Sequence, residues 1–168
     1  CGAGTYKTAT GIGTCIPCDA NTYSSAVAPN CTACPNNTFS DANSSICTCL
    51  AGYTGADGTA CTPCGAGTYK TSTGSVACTS CGVNTYSLAV ATNCTACPNN
   101  TFSDANSVLL TSCTCVAGYT GDNSVACTPC GAGAYKTATG SVACTTCGVN
   151  TYSSAGATSC TACPRNTF

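Results

Sequence analysis

Apolar positions along this chain follow neither the 3.6-residue period of an amphipathic helix nor the long alternation of an extended strand. A short β-prone run recurs instead, as in "GTYKT", "NTYSS" and "NTFSD", and Gly, Pro, Asn or Asp lie close to each run. The longest aliphatic cluster is Val108-Leu109-Leu110. The pattern predicts two-stranded ribbons of roughly three or four residues per strand and little other regular secondary structure.

These runs lie within a long internal repeat. "CGAGTYKTATG" begins at Cys1, "CGAGTYKTSTG" at Cys64 and "CGAGAYKTATG" at Cys130, and each long repeat divides into shorter modules that start at a cysteine. The length difference between the long repeats falls in the third module, where "SDANSSIC" becomes "SDANSVLLTSC". Numbered 1 to 11 in order, the modules form long repeat 1 (1–63: 1–17, 18–33, 34–48, 49–63), long repeat 2 (64–129: 64–80, 81–96, 97–114, 115–129) and partial long repeat 3 (130–168: 130–146, 147–162, 163–168).

Composition excludes a large hydrophobic core. The 168 residues include 21 Cys, whereas Leu and Ile together number only seven. Cysteine at this density is typical of a disulfide scaffold, and ribbons this short are unstable alone in water. Disulfides contribute about 3 kcal/mol for a loop of about 15 residues. The expected fold class is therefore small disulfide-rich β, an elongated tandem array of short β-ribbon modules with little regular secondary structure.

The low charge excludes several classes of function. Charged residues make up 5% of the chain, the net charge is −1 and there is no His. A nucleic-acid binder needs a basic surface, which four scattered cations do not form. No run approaches the roughly 18 apolar residues that a membrane span requires. We therefore expect no nucleic-acid partner and no membrane insertion by this segment.

Aromatic residues follow the register of the modules. Each lies four or five residues after a module-starting cysteine, which predicts the same packing role at the same place in every module. We expect each ring to lie over the neighbouring disulfide, so that one ring and one disulfide form the core of a module. A stripe of rings that stacks on carbohydrate or another ligand is the alternative. The aromatic positions are Tyr6, Tyr23, Phe39, Tyr53, Tyr69, Tyr86, Phe102, Tyr119, Tyr135, Tyr152 and Phe168.

The cysteine spacing favours modules that close on themselves. In this scheme each starting cysteine pairs with the last cysteine before the next start, which leaves Cys163 over and suggests a window cut from a longer array. An interlaced scheme fits the spacing as well, with Cys18–Cys34, Cys31–Cys47, Cys81–Cys97 and Cys94–Cys113. The within-module pairs are Cys1–Cys15, Cys18–Cys31, Cys34–Cys47, Cys49–Cys61, Cys64–Cys78, Cys81–Cys94, Cys97–Cys113, Cys115–Cys127, Cys130–Cys144 and Cys147–Cys160.

The C-x-x-C steps between modules also resemble zinc knuckles. The chain has no His, and it has few cations to balance the charge that four thiolates place around one zinc ion. An unbroken ladder that includes C-x-C steps is also unlike isolated four-ligand sites. We therefore expect no metal and no cofactor. Cysteine at this density instead favours an oxidising compartment, hence an extracellular or cell-surface location.

No catalytic constellation is visible in the sequence. Glu is absent as well as His, and the five Asp stand apart, so catalytic triads and carboxylate pairs lack their parts. "SDANS" at 40–44 and 103–107 has an Asp-x-Asn spacing that suits calcium. It lacks the Gly and the distal Glu of a calcium loop, and an Asx turn explains it better. We expect a protein that is not an enzyme.

Two segments resemble known extracellular modules. "CTPCGAGTYKTSTGSVACTSC" resembles the ephrin-receptor-like cysteine-rich repeat in its C-x-x-C-x-x-G-T-Y/F start and its closing C-x-x-C. "CLAGYTG" and "CVAGYTG" resemble the C-terminal loop of EGF-like modules, which implies the pairs Cys49–Cys61 and Cys115–Cys127; a longer EGF likeness would imply the interlaced scheme for the four preceding cysteines. The resemblance implies a disulfide-linked extracellular β-ribbon array. An array this uniform resembles surface or fibre proteins of algae and other protists.

Covalent glycans are the one modification that the sequence supports. N-x-S/T acceptors recur, and the equivalent "PNNT" turns hold the two strongest, Asn36 and Asn99. Thr54 and Thr120 lie in C-x-x-G-Y-T-G, which resembles the start of an O-glycan acceptor in EGF modules. The other predicted acceptors are Asn30, Asn43 and Asn93.

These features together predict a structural role. A bare chain with so little charge should associate, so either sugars coat it or its surface is buried against other copies. Modules that each offer the same contact suit packing into a fibre. We expect a structural extracellular glycoprotein that self-associates, a repeat segment of a fibre, flagellar hair or cell-surface coat. The alternative is the ligand-binding or spacer stalk of a cell-surface receptor, for which Arg165 in "PRNT" is the one hint of a divergent module.

Overall fold

The computed structural model describes residues 1–164. Its strands are two residues long and pair as antiparallel ribbons, and its one helical element in that range is a 3₁₀ turn at Leu110–Ser112. The predicted class, a small disulfide-rich β protein with short ribbons repeated along the chain, is confirmed. The strands are β1 (Thr5–Tyr6), β2 (Ile16–Pro17), β3 (Thr22–Tyr23), β4 (Thr32–Ala33), β5 (Thr38–Phe39), β6 (Thr48–Cys49), β7 (Tyr53–Thr54), β8 (Thr62–Pro63), β9 (Thr68–Tyr69), β10 (Thr79–Ser80), β11 (Thr85–Tyr86), β12 (Thr95–Ala96), β13 (Thr101–Phe102), β14 (Thr114–Cys115), β15 (Tyr119–Thr120), β16 (Thr128–Pro129), β17 (Ala134–Tyr135), β18 (Thr145–Thr146), β19 (Thr151–Tyr152) and β20 (Thr161–Ala162).

A tight turn starts each ribbon. In module 1 the backbone N–H of Thr5 donates to the Gly2 carbonyl at 3.3 Å, and Thr5 Oγ1 donates to the same oxygen at 2.9 Å. Gly4, the third residue of the turn, has φ +83°. Gly and Asn adopt such a conformation most readily, and Asn21 and Asn84 hold the same place in modules 2 and 6 with φ +64° and +61°. The repeated Gly or Asn therefore fixes where each ribbon begins.

The strands are shorter than the three or four residues predicted. In module 2 the residue after the first strand is Ser24, whose N–H donates to the Ser44 carbonyl of module 3 at 3.3 Å. The Ser24 carbonyl accepts from the N–H of Gly4 in module 1 at 2.9 Å. Because both backbone groups of Ser24 bond to neighbouring modules, they are not available to lengthen the ribbon. The prediction of length is wrong for this reason.

One disulfide closes each of modules 1 to 10. The paired Cα atoms lie 5.4 to 5.8 Å apart, which is ordinary for a disulfide. The bridges lie within modules, and none of the interlaced pairs is present among residues 1–164. The bonded pairs are Cys1–Cys15, Cys18–Cys31, Cys34–Cys47, Cys49–Cys61, Cys64–Cys78, Cys81–Cys94, Cys97–Cys113, Cys115–Cys127, Cys130–Cys144 and Cys147–Cys160.

Cystines, and not aromatic rings, form the buried core. Within residues 1–164 every buried apolar side chain is a cysteine, and those at the two C-x-C steps are 0% exposed. None of the described rings is buried, and Phe102 and Tyr152 are exposed. The expected core of one ring and one disulfide per module is therefore wrong, because a two-stranded ribbon is too small to enclose a ring. Phe168 lies outside the described residues.

The rings also do not share a single place in the ribbon. Tyr53 and Tyr119 are the first residues of β7 and β15, directly after Gly52 and Gly118. In modules 1 to 3, 5 to 7, 9 and 10 the ring is the second residue of its strand, as Tyr6 is in β1. Successive residues of a strand point to opposite faces, so modules 4 and 8 present their rings differently from the rest. The expectation of one fixed place for every ring is wrong.

The chain forms two compact units. The first comprises Cys1–Thr79 with Leu88–Asn93, and the second comprises Ser80–Ser87 with the described residues from Cys94 onward. The first unit thus contains modules 1 to 4, nearly all of module 5 and the turn of module 6. The second contains the ribbon of module 6 and modules 7 to 10.

Two valines occupy a backbone conformation that suits glycine or asparagine. Val27 and Val90 each have φ +64°, and their N–H groups donate to the Cys1 and Cys64 carbonyls at 3.0 Å. Left-handed backbone costs roughly 1–2 kcal/mol per L-residue, and more for a β-branched one. Asn43 holds the equivalent place in module 3 with φ +64°. The strain at the valines is therefore a property of the side chain and not of the turn.

Replacing Val27 by asparagine should stabilise module 2. Val27 is 84% exposed, so Val27→Asn loses little burial and relieves about 1 kcal/mol of backbone strain. Thermal unfolding under non-reducing conditions should show a higher midpoint. The matched control is Val76→Asn, since Val76 is also exposed but lacks a positive φ. A midpoint raised equally by both substitutions would contradict the strain argument.

Candidate functional site: the junctions between modules

One residue in most modules bonds to the module before it, and we call it the connector residue. It lies three positions after the Gly or Asn of positive φ that starts the ribbon. In module 2, Ser24 Oγ donates to the Thr5 carbonyl of module 1 at 3.0 Å. The other serine bonds run from Ser40 to Thr22 (2.9 Å), from Ser103 to Thr85 (3.3 Å) and from Ser153 to Ala134 (2.8 Å). The connector positions in modules 1 to 10 are Lys7, Ser24, Ser40, Gly55, Lys70, Ser87, Ser103, Gly121, Lys136 and Ser153.

The serine connectors are buried, although serine is usually an exposed residue. Ser24 keeps only 1% of its surface exposed and Ser153 keeps 9%. A hydroxyl can be buried at little cost when it is hydrogen-bonded, as these are. A paired polar side chain thus holds successive modules together where a larger protein would use apolar packing.

The junction between modules 4 and 5 uses a buried lysine instead. Lys70 is 3% exposed, and its Nζ donates to the Tyr53 carbonyl of module 4 at 2.7 Å and to the Gly74 carbonyl of its own module. The backbone adds three bonds: Gly52 N–H to Lys70 O (2.9 Å), Cys64 N–H to Gly52 O (2.8 Å) and Gly74 N–H to Cys49 O (2.8 Å). The lysine therefore bridges two modules through carbonyl oxygens.

The second unit repeats this junction between modules 8 and 9. Lys136 is 3% exposed, and its Nζ donates to the Tyr119 carbonyl at 2.6 Å and to the Gly140 carbonyl. Gly118 N–H bonds to Lys136 O at 2.8 Å and Gly140 N–H bonds to Cys115 O at 2.7 Å. The same contacts at both places show that the lysine junction is a regular part of the repeat.

Burial changes the acidity of both lysines. It lowers the pKa of Lys136, because water that would solvate the ammonium is excluded. Burial likewise lowers the pKa of Lys70, and the negative charge of Asp57 offsets part of that effect. A neutral amine still has two donors, so losing the proton leaves both carbonyl bonds intact. Both junctions should therefore tolerate deprotonation.

Removing the lysine should weaken the junction. In Lys136→Met the Tyr119 and Gly140 carbonyls lose a buried donor, which should cost about 2 kcal/mol of stability. Amide hydrogen exchange at Gly118 and Gly140 should quicken, since it reports local opening. Lys7→Met is the matched control: Lys7 is only half-buried, and a change of less than about 0.5 kcal/mol is expected. Equal effects of the two substitutions would contradict the role of the junction.

The same pair of proteins should differ in their pH dependence. Because the pKa of Lys136 is lowered in the folded state, the unfolded chain binds more protons between that pKa and about 10.4. The stability of the wild-type protein relative to Lys136→Met should therefore rise with pH in that window. A flat difference across the window would show that Lys136 is as well solvated when folded as when unfolded.

The junction between modules 3 and 4 and the junction between modules 7 and 8 differ from the others, because the connector position of modules 4 and 8 is glycine. Asn37 Nδ2 donates to the Cys61 carbonyl at 2.8 Å, and Cys61 N–H donates to the Asn36 carbonyl at 3.1 Å. Asn100 and Cys127 form the corresponding bond in the second unit at 2.9 Å. At these two junctions an asparagine side chain of the preceding module replaces the connector.

Backbones of alternate modules also approach closely at glycine. A Cβ at Gly4 would lie 2.0 Å from the Asn43 carbonyl oxygen, and one at Gly52 would lie 2.6 Å from that of Val90. In the second unit a Cβ at Gly118 would lie 2.2 Å from the Gly156 carbonyl oxygen. Real Cβ contacts are never this short, so glycine is required where modules 1 and 3, 4 and 6, and 8 and 10 meet.

The predicted glycan acceptors fall into two groups. Thr54 and Thr120 are half-buried, and their hydroxyls donate to the Val76 and Val142 carbonyls of the following modules at 3.3 and 3.4 Å. An O-linked sugar would remove these hydroxyl donors from a junction. The asparagine side chains of the predicted N-linked sites are exposed: Asn30, Asn36, Asn43, Asn93 and Asn99.

The connector residues were not predicted from the sequence. The signal was present, since the residue at this position runs Lys, Ser, Ser, Gly and then repeats. Lysine and serine are usually solvated, so a polar residue beside a ribbon gave no reason to expect burial. The recurrence of the same connector residue every four modules would have distinguished these positions from ordinary exposed polar residues.

The described residues offer no other concentration of reactive groups. No three metal-ligating side chains come together within residues 1–164. In the same range no helix has the length and apolar character that crossing a membrane would need. Cys163, the unpaired cysteine of that range, is exposed.

The comparisons with known proteins found a family model that is similar to the two segments with the lysine junctions. A family model described as "Tyrosine-protein kinase ephrin type A/B receptor-like" matches residues 52–92 and 118–154. Each match starts at the glycine before a module-4 or module-8 tyrosine and runs through the lysine junction. The resemblance to ephrin-receptor-like repeats is thereby confirmed, and cysteine-rich repeats of this kind suggest an extracellular role. The search of curated proteins gave no match.

Proposed function

Since its lysine junctions lie in ephrin-receptor-like repeats, we propose that the chain is part of a structural extracellular glycoprotein, a repeat segment of a fibre, flagellar hair or cell-surface coat. The observation that carries this proposal is the recurrence of the junctions. Ser24, Ser40, Ser103 and Ser153 make the same bond, and Lys70 and Lys136 make another. An arrangement of this kind extends by adding modules, which is what a fibre or coat requires.

The surface is suited to association between copies. Val76 and Val142 occupy equivalent places, and each is 62% exposed. Val83 and Val149 are a second equivalent pair, at 57% and 93% exposure. With charged residues at 5% of the chain, little repulsion opposes contact between such surfaces. Exposed aliphatic residues at equivalent places in the repeat offer the same contact to another copy of the chain at each of those places.

Glycans on the exposed asparagines would regulate this association. Asn36 and Asn99 are exposed in equivalent turns, so sugars there would be presented at matching places in the two long repeats. We expect peptide mass spectra of the native, non-reduced protein to show N-linked sugar at these two asparagines. Such sugars would keep separate copies soluble until they assemble.

The test of the proposed function is assembly by the purified protein. The purified protein is compared before and after enzymatic deglycosylation by sedimentation velocity and negative-stain imaging. We expect large assemblies, and they should persist at high salt because charge does not drive them. A Val76→Asp, Val142→Asp variant should remain monomeric, and the matched control Ser25→Asp, at an exposed polar site, should still assemble. A deglycosylated protein that stays monomeric at high concentration would contradict the proposal.

A receptor stalk is the second candidate, because the matching family is described as receptor-like. A stalk would space or present a binding domain and would remain monomeric with or without its sugars. The same sedimentation experiment therefore separates the two functions. We propose no enzymatic activity for either.

A further inference from the structure

A threonine recurs in modules 2 to 9, directly after the cysteine that closes each module, and it is the first residue of the second strand of the ribbon. Threonines of the first strand differ from it, because their hydroxyls hold the turn that starts the ribbon. Thr22 Oγ1 donates to the Asp19 carbonyl at 2.7 Å, and Thr85 Oγ1 donates to the Gly82 carbonyl at 2.8 Å. The second-strand threonines are Thr32, Thr48, Thr62, Thr79, Thr95, Thr114, Thr128 and Thr145.

Four of these hydroxyls are open to solvent, and we call their residues the open threonines. Thr32, Thr79, Thr95 and Thr145 are exposed, and their hydroxyls form no hydrogen bond within residues 1–164. Each of modules 2, 5, 6 and 9 has another module before it and after it along the chain, so the threonine stays uncovered although both neighbours are present. These hydroxyls therefore take no part in joining the modules.

The other four second-strand threonines are bonded or half-buried. Thr62 Oγ1 donates to the Thr54 carbonyl at 3.2 Å, and Thr128 makes the equivalent bond in module 8 at the same distance. Thr48 and Thr114 are half-buried, each between the two cysteines of a C-x-C step that are 0% exposed. Because both contrasts recur after four modules, the open threonines are a regular feature of the repeat.

A tyrosine ring lies across the ribbon from three of the open threonines, and we call these the Tyr–Thr pairs. Residues directly opposite in an antiparallel ribbon share one face, with their Cβ atoms about 4.5–5.5 Å apart. Each of the three rings is half-buried, so part of the ring is open to water beside the hydroxyl. In modules 4 and 8 a threonine takes the place of the ring. The pairs are Tyr23 with Thr32, Tyr86 with Thr95, and Tyr135 with Thr145.

We propose that the open threonines are O-glycosylation sites, and that the sugar on each Tyr–Thr pair packs against the tyrosine ring. The donor is a nucleotide-activated hexose or N-acetylhexosamine, used by a glycosyltransferase of the secretory compartments. Threonine Oγ1 forms a bond to the anomeric carbon of the sugar while the bond from that carbon to the donor phosphate breaks. The nucleoside diphosphate leaves with the electron pair, and the hydroxyl proton passes to a base of the transferase.

The ribbon gives a transferase access to these hydroxyls. Each sheet has only two strands, so the second strand keeps one edge that pairs with no further strand. An extended segment with an open edge can be held along its backbone by another protein. Attachment of a sugar to an open threonine breaks no hydrogen bond, whereas a sugar on Thr62 or Thr54 would remove a hydroxyl donor.

A sugar on a Tyr–Thr pair is also stabilised by its surroundings. The face of a hexose that carries only C–H groups is apolar, as is the face of the ring, so contact removes both from water. Charged residues make up only 5% of the chain, so hydroxyl-rich sugars would supply polarity that the side chains lack. Both effects favour sugar at the open threonines.

The test maps sugars on the native, non-reduced protein after enzymatic removal of N-linked sugars. Electron-transfer fragmentation keeps an O-linked sugar on its residue, so each threonine is scored separately. Hexose or N-acetylhexosamine should be found on the open threonines, and occupancy at Thr62 and Thr128 should be at least about fivefold lower, because their hydroxyls are bonded most of the time. Bare open threonines, or equal occupancy at Thr62 and Thr128, would overturn the proposal.

A matched pair of variants tests one site by intact mass. Thr95→Val removes the hydroxyl and keeps a branched side chain, and the fold should be retained because that hydroxyl makes no hydrogen bond within residues 1–164. The secreted Thr95→Val protein should lose the mass of one sugar chain. Thr128→Val is the control and should lose none. An unchanged sugar mass in Thr95→Val, or the same loss in both variants, would contradict the proposed site.

The contact between sugar and ring has a readout of its own. Nitration of Tyr86 by tetranitromethane should be slower in the glycosylated wild-type protein than in Thr95→Val, because the sugar covers the ring. Tyr119 lies opposite Pro129, and its rate should be the same in both proteins. Equal rates at Tyr86 would reject the packing of the sugar on the ring.

This inference goes beyond the proposed function and rests on it only for the extracellular location, which brings the chain into contact with glycosyltransferases. Its outcomes are separate from those of the assembly experiment. Sugar on the open threonines of a protein that never assembles would retain the sites and reject the fibre or coat. Assembly by a protein whose open threonines are bare would retain the structural function and reject the sites.

Discussion

Complete reduction of the ten disulfides is expected to unfold the whole protein. Each closes a loop with a sequence separation of 12 to 16 residues, which is worth about 3 kcal/mol, so the ten together exceed the roughly 5–15 kcal/mol by which domains are usually stable. The core consists of the cystines themselves, so little apolar packing would remain after reduction. Amide resonances should collapse into the range of an unfolded chain and hydrogen exchange should lose its protection.

Removal of a single bridge should act locally. Cys1→Ser with Cys15→Ser removes a disulfide whose cysteines are both exposed, and faster amide exchange should be confined to modules 1 and 2. Cys49→Ser with Cys61→Ser removes a buried bridge and should also open the lysine junction at Lys70. A dispersed amide spectrum that survives complete reduction would disprove the view that cystines are the core.

A methyl group at Gly118 should produce one of the largest effects of any single side-chain addition. Gly118 has φ +81°, and its Cβ would lie 2.2 Å from the Gly156 carbonyl oxygen. Backbone strain of roughly 1–2 kcal/mol and displacement of the facing backbone should together cost about 2–5 kcal/mol. Its own N–H and carbonyl bond to Lys136 and Cys130, so the whole junction between modules 8 and 9 should loosen.

The measurement is non-reducing thermal unfolding of Gly118→Ala together with amide exchange at Cys130. Gly131→Ala is the matched control, since nothing lies within 4 Å of its Cβ and its φ is not positive. The control should be neutral or slightly stabilising, because alanine restricts the unfolded chain. A Gly118→Ala protein as stable as the control would mean that modules 8 and 10 do not meet closely.

Predictions from the sequence succeeded where the determinants are local. A Gly or Asn three residues after a starting cysteine favours a left-handed turn, so Gly4 and Asn21 reveal where ribbons begin. Cysteines about 13 residues apart lie at either end of such a ribbon. Disulfide-rich β-ribbon modules repeated along the chain follow from these two facts.

Predictions failed where a neighbouring module decides the outcome. Rings were expected in the core, but a ribbon of two short strands leaves one side of Tyr152 or Phe102 open to water. Strands were expected to be longer, but the backbone of Ser24 bonds to modules 1 and 3 instead of to its own ribbon. Neither effect is visible within a single module.

The sequence by itself determined the modules, through the regular spacing of cysteines and of the turn-forming Gly and Asn. The tertiary structure alone decided which polar residues hold the modules together. Ser24 and Ser25 are identical neighbours, yet Ser24 is 1% exposed and bonded to Thr5, whereas Ser25 is exposed. The difference arises because a hydroxyl is buried favourably only where another module supplies an acceptor, and that acceptor comes from a residue 19 positions away.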